Sequence, residues 1–339
     1  MIYFYVYLLL VVLFSLIFKK RGILLNYSGD VHQSFSNKKN VTLAGGFFIL
    51  IPIVFFLNDL LINFFIVSVY LIGFFSDRKI LISPKKRFLI QCVLILFFVV
   101  FLDIKINSSR IELLDIILNN KVFAIIFSAF CLLILINGSN FIDGLNGLLI
   151  SYSIIILYML SKLNLIDNSI ILDHSIYLII FTLLLLLLLN VFNILMLGDS
   201  GAYLLGFFIG FLIVSSHISN PDISPYFFIS LIWYPCYENL FSILRKLNRE
   251  FSPLKPDSKH LHQLVFFFFT KKFGFKLVPS NNLSSAIICF FNFLIIYIST
   301  LNPSSTIFQI KLIVISIIFY NVTYMLLFKF YKSNLISKK

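Results

Sequence analysis

Two stretches of this 339-residue chain gather the residue types that handle phosphate and a hard cation. In the first, Asn137-Gly-Ser-Asn140-Phe-Ile-Asp143-Gly-Leu-Asn146-Gly-Leu148, amides and one carboxylate share a turn with three glycines, between apolar flanks. Turn and cap chemistry accounts for two or three of these residues, because Asn and Asp cap helices and Gly relieves strain. It does not account for Asn137, Asn140, Asp143 and Asn146 recurring every three residues, which sets them near one helical face. The second stretch is Gly198-Asp199-Ser200-Gly201. An ionisable residue among small ones at the end of an apolar run lets a ligand approach the backbone closely, though alone it also reads as a capped turn. Mg²⁺ takes one or two protein carboxylates and fills its other positions with water and substrate phosphate. Asp199, with an amide oxygen from Asn140, fits such a site.

A third group is basic. Ser252-Pro-Leu-Lys-Pro256-Asp257-Ser-Lys259-His260-Leu-His262-Gln263 sets two of the five histidines one residue apart. The pair lacks the further ligands that a zinc site needs. With Lys259, Arg245 and Arg249 close by, a phosphate-binding surface fits better, and a solvated basic loop is the plain alternative.

The elements that position these groups follow from composition. The chain is 60% hydrophobic and 12% charged, against about 45–50% and about 25% in soluble domains. Apolar runs near the length that crosses a bilayer recur throughout, and in lipid such runs must be helical. The expected fold is an all-α polytopic membrane protein forming a single domain over 1–339. About eleven transmembrane helices are expected, near 1–18, 44–58, 60–75, 88–102, 122–137, 146–161, 176–196, 202–216, 226–243, 284–301 and 308–328. The first is read as a retained span, because Lys19-Lys20-Arg21 follows it instead of a small-residue cleavage site. Cys92, Cys131, Cys236 and Cys289 all fall within spans and read as buried apolar residues. No repeat of fixed period is visible.

Placing the N-terminus outside puts 22 of the 27 Lys and Arg residues on the inner side and five on the outer. Basic residues mark the cytoplasmic face, so the C-terminus and the loops at about 19–43, 76–87, 137–147, 197–201 and 244–283 are expected inside. Topology and attraction to anionic headgroups explain the net charge of +13, and nucleic acid is not an expected partner.

In order and spacing these motifs resemble the polyprenyl-phosphate N-acetylhexosamine-1-phosphate transferases, glycosyltransferase family 4. That family includes the enzymes that initiate O-antigen and the phospho-MurNAc-pentapeptide translocase. The resemblance rests on Asn137–Leu148, Gly198–Gly201, His260-Leu-His262, Pro235-Cys-Tyr-Glu238-Asn-Leu240 with Arg245, and Gly45-Gly46. It implies transfer of a sugar 1-phosphate from a UDP-sugar to undecaprenyl phosphate, with release of UMP, at the cytoplasmic face of a bacterial inner membrane. It also implies Mg²⁺, held by Asn140 and Asp199. Asp77, Asp143 and His260 are implied as catalytic, and Asn137, Asn140, His262, Lys259 and Arg245 as substrate-binding. Membrane lipid is a further partner, and a homodimer is left open. Glu238 and the Phe-Ser-Ile after Leu240 resemble the lipopolysaccharide and O-antigen branch.

Several positions depart from the family pattern. Ser76-Asp77 replaces an Asp-Asp pair, and Ile80 replaces a lysine, which leaves Arg78 or Lys79 to supply that charge. Asn146 replaces an acidic residue, Gln263 replaces a histidine, and Glu238 stands where many members have Asp. Two other readings are a weakened family member serving as a binding or scaffold protein, and a secondary transporter. The transporter reading expects polar residues at the midplane and repeated halves, whereas here the polar clusters gather at one face.

Overall fold

The computed structural model describes residues 2–25, 41–247 and 259–336. Among the described residues there are thirteen helices. They are α1 (Ile2–Arg21), α2 (Gly45–Phe56), α3 (Leu60–Asp77), α4 (Pro84–Phe101), α5 (Glu112–Leu118), α6 (Lys121–Ile142), α7 (Leu148–Lys162), α8 (Asp173–Val191), α9 (Gly198–Ser219), α10 (Pro225–Leu247), α11 (Leu261–Lys272), α12 (Leu277–Ser299) and α13 (Thr306–Ile336). No strand occurs among them, only isolated bridges of Thr42 to Leu25 and Leu195.

Each of the eleven expected spans falls on a helix. Eight helices have the length and composition to cross a membrane, and α2 and α7 are shorter apolar helices. Helix α4 opens on Pro84-Lys-Lys-Arg87, so its apolar part is only the remainder. Local chemistry sets several starts. Asp59 caps α3 through the amides of Leu61 and Ile62, Asn120 caps α6, and Ser83 precedes Pro84 at the first position of α4. Only Leu57–Asp59 joins α2 to α3.

Helicity runs further into the polar segments than their sequence suggests. Gly198–Gly201, expected as a loop, is the first turn of α9. The segment expected as one long loop at 244–283 contains α11 and the start of α12. The stretch 137–147 stays helical to Ile142, so Asn137 and Asn140 lie on the last turns of α6 while Asn146 has left the helix. The three-residue spacing therefore does not place all four polar residues on one face. Residues 26–40 and 248–258, including Arg249 and the Ser252–Ser258 half of the histidine segment, lie outside the described residues.

Helix α9 is the hub. Of its apolar window 89% is buried, against 11% for α1 and 17% for α13, whose large side chains face outward. Lipid offers little hydrophobic drive for helix association, so close approach of small residues does the packing. A methyl on Gly46 of α2 would come 2.5 Å from the Gly201 amide. One on Gly206 would come 2.8 Å from the Ser139 hydroxyl of α6, and one on Gly210 would come 2.8 Å from Leu132. One on Gly73 of α3 would strike the backbone of Ser200. These contacts lock the ends of α3 and α6 onto the start of α9.

Two helices carry an interior proline, Pro52 in α2 and Pro235 in α10. Each removes the amide that would bond the carbonyl four residues earlier. In both cases a tyrosine on another helix supplies the donor: Tyr7 bonds the Phe48 carbonyl, and Tyr152 bonds the Leu231 carbonyl at 2.8 Å.

Candidate active site

The start of α9 has free backbone amides and no cap from its own chain neighbours. Asp77, the last residue of α3, supplies one from another helix. Its Oδ1 accepts the Asp199 amide at 2.8 Å and its Oδ2 the Ser200 amide at 3.0 Å. A carboxylate suits this position because the helix start carries partial positive charge. Gly198 permits the approach: it has φ +74°, and a methyl there would lie 2.6 Å from Asp77 Oδ2.

Asp199 turns its own carboxylate the other way. Oδ2 accepts the Ser76 hydroxyl at 2.5 Å and pairs with Arg87 Nη1 of α4 at 2.6 Å. Arg87 also bonds the Ser76 hydroxyl. A carboxylate at position 76 would face Asp199 directly, so Ser76 replaces a repulsion with a hydrogen bond. Arg87, with Gln91 one turn further along α4, is what the reading of the sequence missed. Its signal was there: a basic and an amide residue four apart, just inside a Ser-Pro helix start. The basic group that this structure pairs with Asp199 is Arg87.

The end of α6 faces the same ground. The Asn137 amide donates to Gln91 Oε1 at 3.2 Å and to the Leu133 carbonyl at 2.9 Å. Asn140 and Asp143 make no side-chain hydrogen bond among the described residues. Asp143, just past the helix, has its carboxyl pushed well above the usual range by burial first, then by the charges of Asp199 and Asp77. Those couplings bring three carboxylates into one electrostatic neighbourhood, which Arg87 joins through Asp199.

Asn146 plays a different part. Its amide N–H donates to Asn281 Oδ1 at 2.7 Å, and its side chain reaches Asn193 and Asn282, each at 3.2 Å. The Gly147 amide donates to Asn190 Oδ1 at 2.6 Å. This asparagine set, buried except for the half-buried Asn282, ties the α6–α7 turn to α8, its trailing loop and α12. Uncharged Asn146 suits such partners, which explains its departure from an acidic residue.

The histidines close the site from α11. His262 is fully buried, and a methyl on Gly144 would come 2.6 Å from its Nε2. Among the described residues neither ring nitrogen has a hydrogen-bond partner. Burial, then the nearby His260, pulls its pKa down to about 3, so the ring is neutral. The His260 ring stacks beside it at 5.6 Å and lies 5.1 Å from the Phe141 ring of α6. Its Nδ1 is 2.9 Å from Glu238 Oε1. Gln263 accepts the His260 backbone amide at 3.1 Å, so the residue in place of a third histidine pins the start of α11.

Arg245 lies in the last turn of α10. It bonds the Lys259 carbonyl and the Tyr324 hydroxyl of α13, and its guanidinium lies over the Tyr324 ring. Its visible work is to hold the histidine segment, Lys259 included, against α13. Arg249 lies outside the described residues.

This geometry can be set beside known proteins. The sequence model for Glycosyl transferase family 4 matches residues 59–217. That match supports kinship with glycosyl transferase family 4. No curated protein matches the chain. The matched stretch runs from the cap of α3 nearly to the end of α9. It holds Ser76, Asp77, Arg87, Gln91, the Asn137–Leu148 segment and Asp199, so the family 4 stretch carries the whole carboxylate cluster. The histidine segment lies beyond it and joins the cluster only through the fold.

Proposed function

We propose that the chain transfers a sugar 1-phosphate, of N-acetylhexosamine type, from a UDP-sugar to undecaprenyl phosphate and releases UMP. The observation that carries this reading is the meeting of Asp77, Asp143, Asp199 and Arg87 at the ends of α3, α6 and α9, inside the family 4 stretch. Membrane helices and a cluster at one end suit a lipid acceptor and a soluble donor. The basic asymmetry supports a cytoplasmic position for that end, where UDP-sugars are available. In the proposed setting this is the first membrane step of O-antigen or another cell-surface polysaccharide, in a bacterial inner membrane.

A phosphate oxygen of the lipid forms a bond to the β-phosphorus of the UDP-sugar. The bond from that phosphorus to the bridging oxygen breaks, and UMP leaves with the electron pair. Such a transfer needs mainly positioning and charge neutralisation. Arg87 and His260 would meet the diphosphate charge, with His262 and Asn137 shaping the pocket around it. Lys259 and Arg245 would serve the donor by holding the histidine segment in place. Asp77, with both oxygens engaged at the start of α9, would set the position of Asp199 and the adjoining lipid phosphate.

Among the described residues no three His, Cys, Asp or Glu side chains stand close enough to hold a metal by themselves. Mg²⁺ needs no such set, since phosphate and water complete its shell. Asp199 Oδ1 and the Asp143 carboxyl accept no hydrogen bond among the described residues, and with the Asn140 amide oxygen they are hard oxygen donors that fit it. Bound there, Mg²⁺ would neutralise charge on the diphosphate. The test is UMP release by the purified protein with undecaprenyl phosphate and a panel of UDP-sugars. Release with one or more of them supports the transferase, and none with any would favour a binding or scaffold role.

A further inference from the structure

Among the described residues Glu238 is the most deeply buried carboxylate outside the cluster, at 0% exposure in the middle of α10. A buried charge persists only where donors meet it. Here three do. His260 Nδ1 approaches Oε1 at 2.9 Å, the Leu261 amide donates to the same oxygen at 3.4 Å, and the Tyr320 hydroxyl donates to Oε2 at 2.7 Å. The carboxylate therefore joins α10, the start of α11 and α13 at one point. An ionised carboxylate only accepts, so the hydrogen between it and the imidazole sits on Nδ1. The bond made by one ring nitrogen decides the state of the other.

We propose that Glu238 is the positioning residue of His260: it fixes the ring's orientation and tautomer so that Nε2 is the nitrogen offered to the phosphates. Gln263 holds the backbone of the same residue, and Phe141 and His262 confine the ring on its flanks. Glu238 itself touches no reacting atom. This proposal rests on the transferase reading for its activity test, but its central claim concerns the state of one imidazole.

Glu238→Gln separates positioning from charge. Its amide oxygen can still accept from Nδ1 and the Leu261 amide, while its NH₂ donates to the Tyr320 oxygen. Two readouts on full-length protein in detergent decide the matter. In protein labelled with ¹⁵N-histidine, the signals missing from His260→Ala identify His260. The expected result is the Nδ1–H tautomer in wild type and Glu238→Gln, and its loss in Glu238→Ala. In UMP release, Glu238→Ala should fall about 10²-fold, in the range of losing one donor to developing charge. Glu238→Gln should stay within about tenfold of wild type, and Glu238→Ala should add nothing in the His260→Ala background. If Glu238→Ala does not fold, Tyr320→Phe serves. It should lower kcat several-fold in wild type and have no effect in His260→Ala. An unchanged tautomer in Glu238→Ala, or losses that multiply in the double variant, overturns the proposal. A wild type that releases no UMP defeats the transferase reading and leaves the tautomer measurement to decide this one.

Discussion

The guanidinium of Arg87 on α4 lies 2.6 Å from the Asp199 carboxylate on α9, across the Ser76 hydroxyl at the end of α3. Three helices thus meet at one ion pair, and the cation belongs to the same carboxylate that is proposed to hold Mg²⁺. Under the proposed function, a metal and a diphosphate would divide between them the two charges that Arg87 and Asp199 pair here.

Replacing Arg87 tests that division. Arg87→Ala leaves Asp199 without its paired cation. The half-saturating Mg²⁺ concentration should fall, because a competitor has gone, while kcat for UMP release falls about 10²-fold for want of a charge on the diphosphate. Titrating Mg²⁺ in variant and wild type reads both. A higher Mg²⁺ requirement would place Arg87 with the structural residues.

Asp199→Asn keeps a side chain of the same shape and removes the charge. UMP release should drop to near background at ordinary Mg²⁺ concentrations, while the protein still inserts and purifies as a single species. Ample activity in this variant would remove Asp199 from the metal site.

Burial of neutral His262 makes stability depend on pH. The folded ring titrates at about 3 and the free side chain at 6.5. The unfolded chain therefore binds the extra proton between those values. Stability is full above about pH 6.5 and declines as pH falls toward 3, by at most about 1.4 kcal/mol per unit. Thermal midpoints in detergent at pH 7.5 and pH 5 should differ more for wild type than for His262→Gln. Equal slopes would mean the ring is solvated.

The glycine contacts predict a graded series. At Gly73 a methyl meets the α9 backbone, which cannot yield, whereas at Gly210 it meets the end of the Leu132 side chain, which can. Gly73→Ala should cost several kcal/mol by overpacking, with loss of a monodisperse species, and Gly210→Ala about 1 kcal/mol or less. Thermal unfolding and gel filtration of the two variants compare them.

Topology has its own check. In a background without the four cysteines, Asn168→Cys should react with an impermeant thiol reagent from outside intact cells. Lys271→Cys should react only after the membrane is opened. The reverse pattern would put the carboxylate cluster on the side that lacks UDP-sugars.

Much of this was legible in the sequence, for reasons that can be named. Helices were readable because a bilayer permits little else to an apolar run. Asp199, Asn140 and Asp143 stood out as candidates because carboxylates and amides among glycines at a span's end are unusual in so apolar a chain. Arg87 was hidden because every basic residue near the inner face already had an explanation in topology. The cap that Asp77 places on α9 was hidden for a different cause. It spans 122 residues of sequence, and no local pattern records it. Asn146 misled because a spacing of three means a shared face only while the helix lasts, and α6 stops at Ile142.

The two prolines bear on how the molecule is assembled. A helix with Pro52 or Pro235 enters the bilayer with one carbonyl unanswered, in a solvent that has no donor to offer. Tyr7 and Tyr152 answer it only after α1 has met α2 and α7 has met α10. Helices α2 and α10 are thus incomplete as separate spans and become complete as neighbours. The chain carries in these two pairs a chemical requirement for which helix must find which.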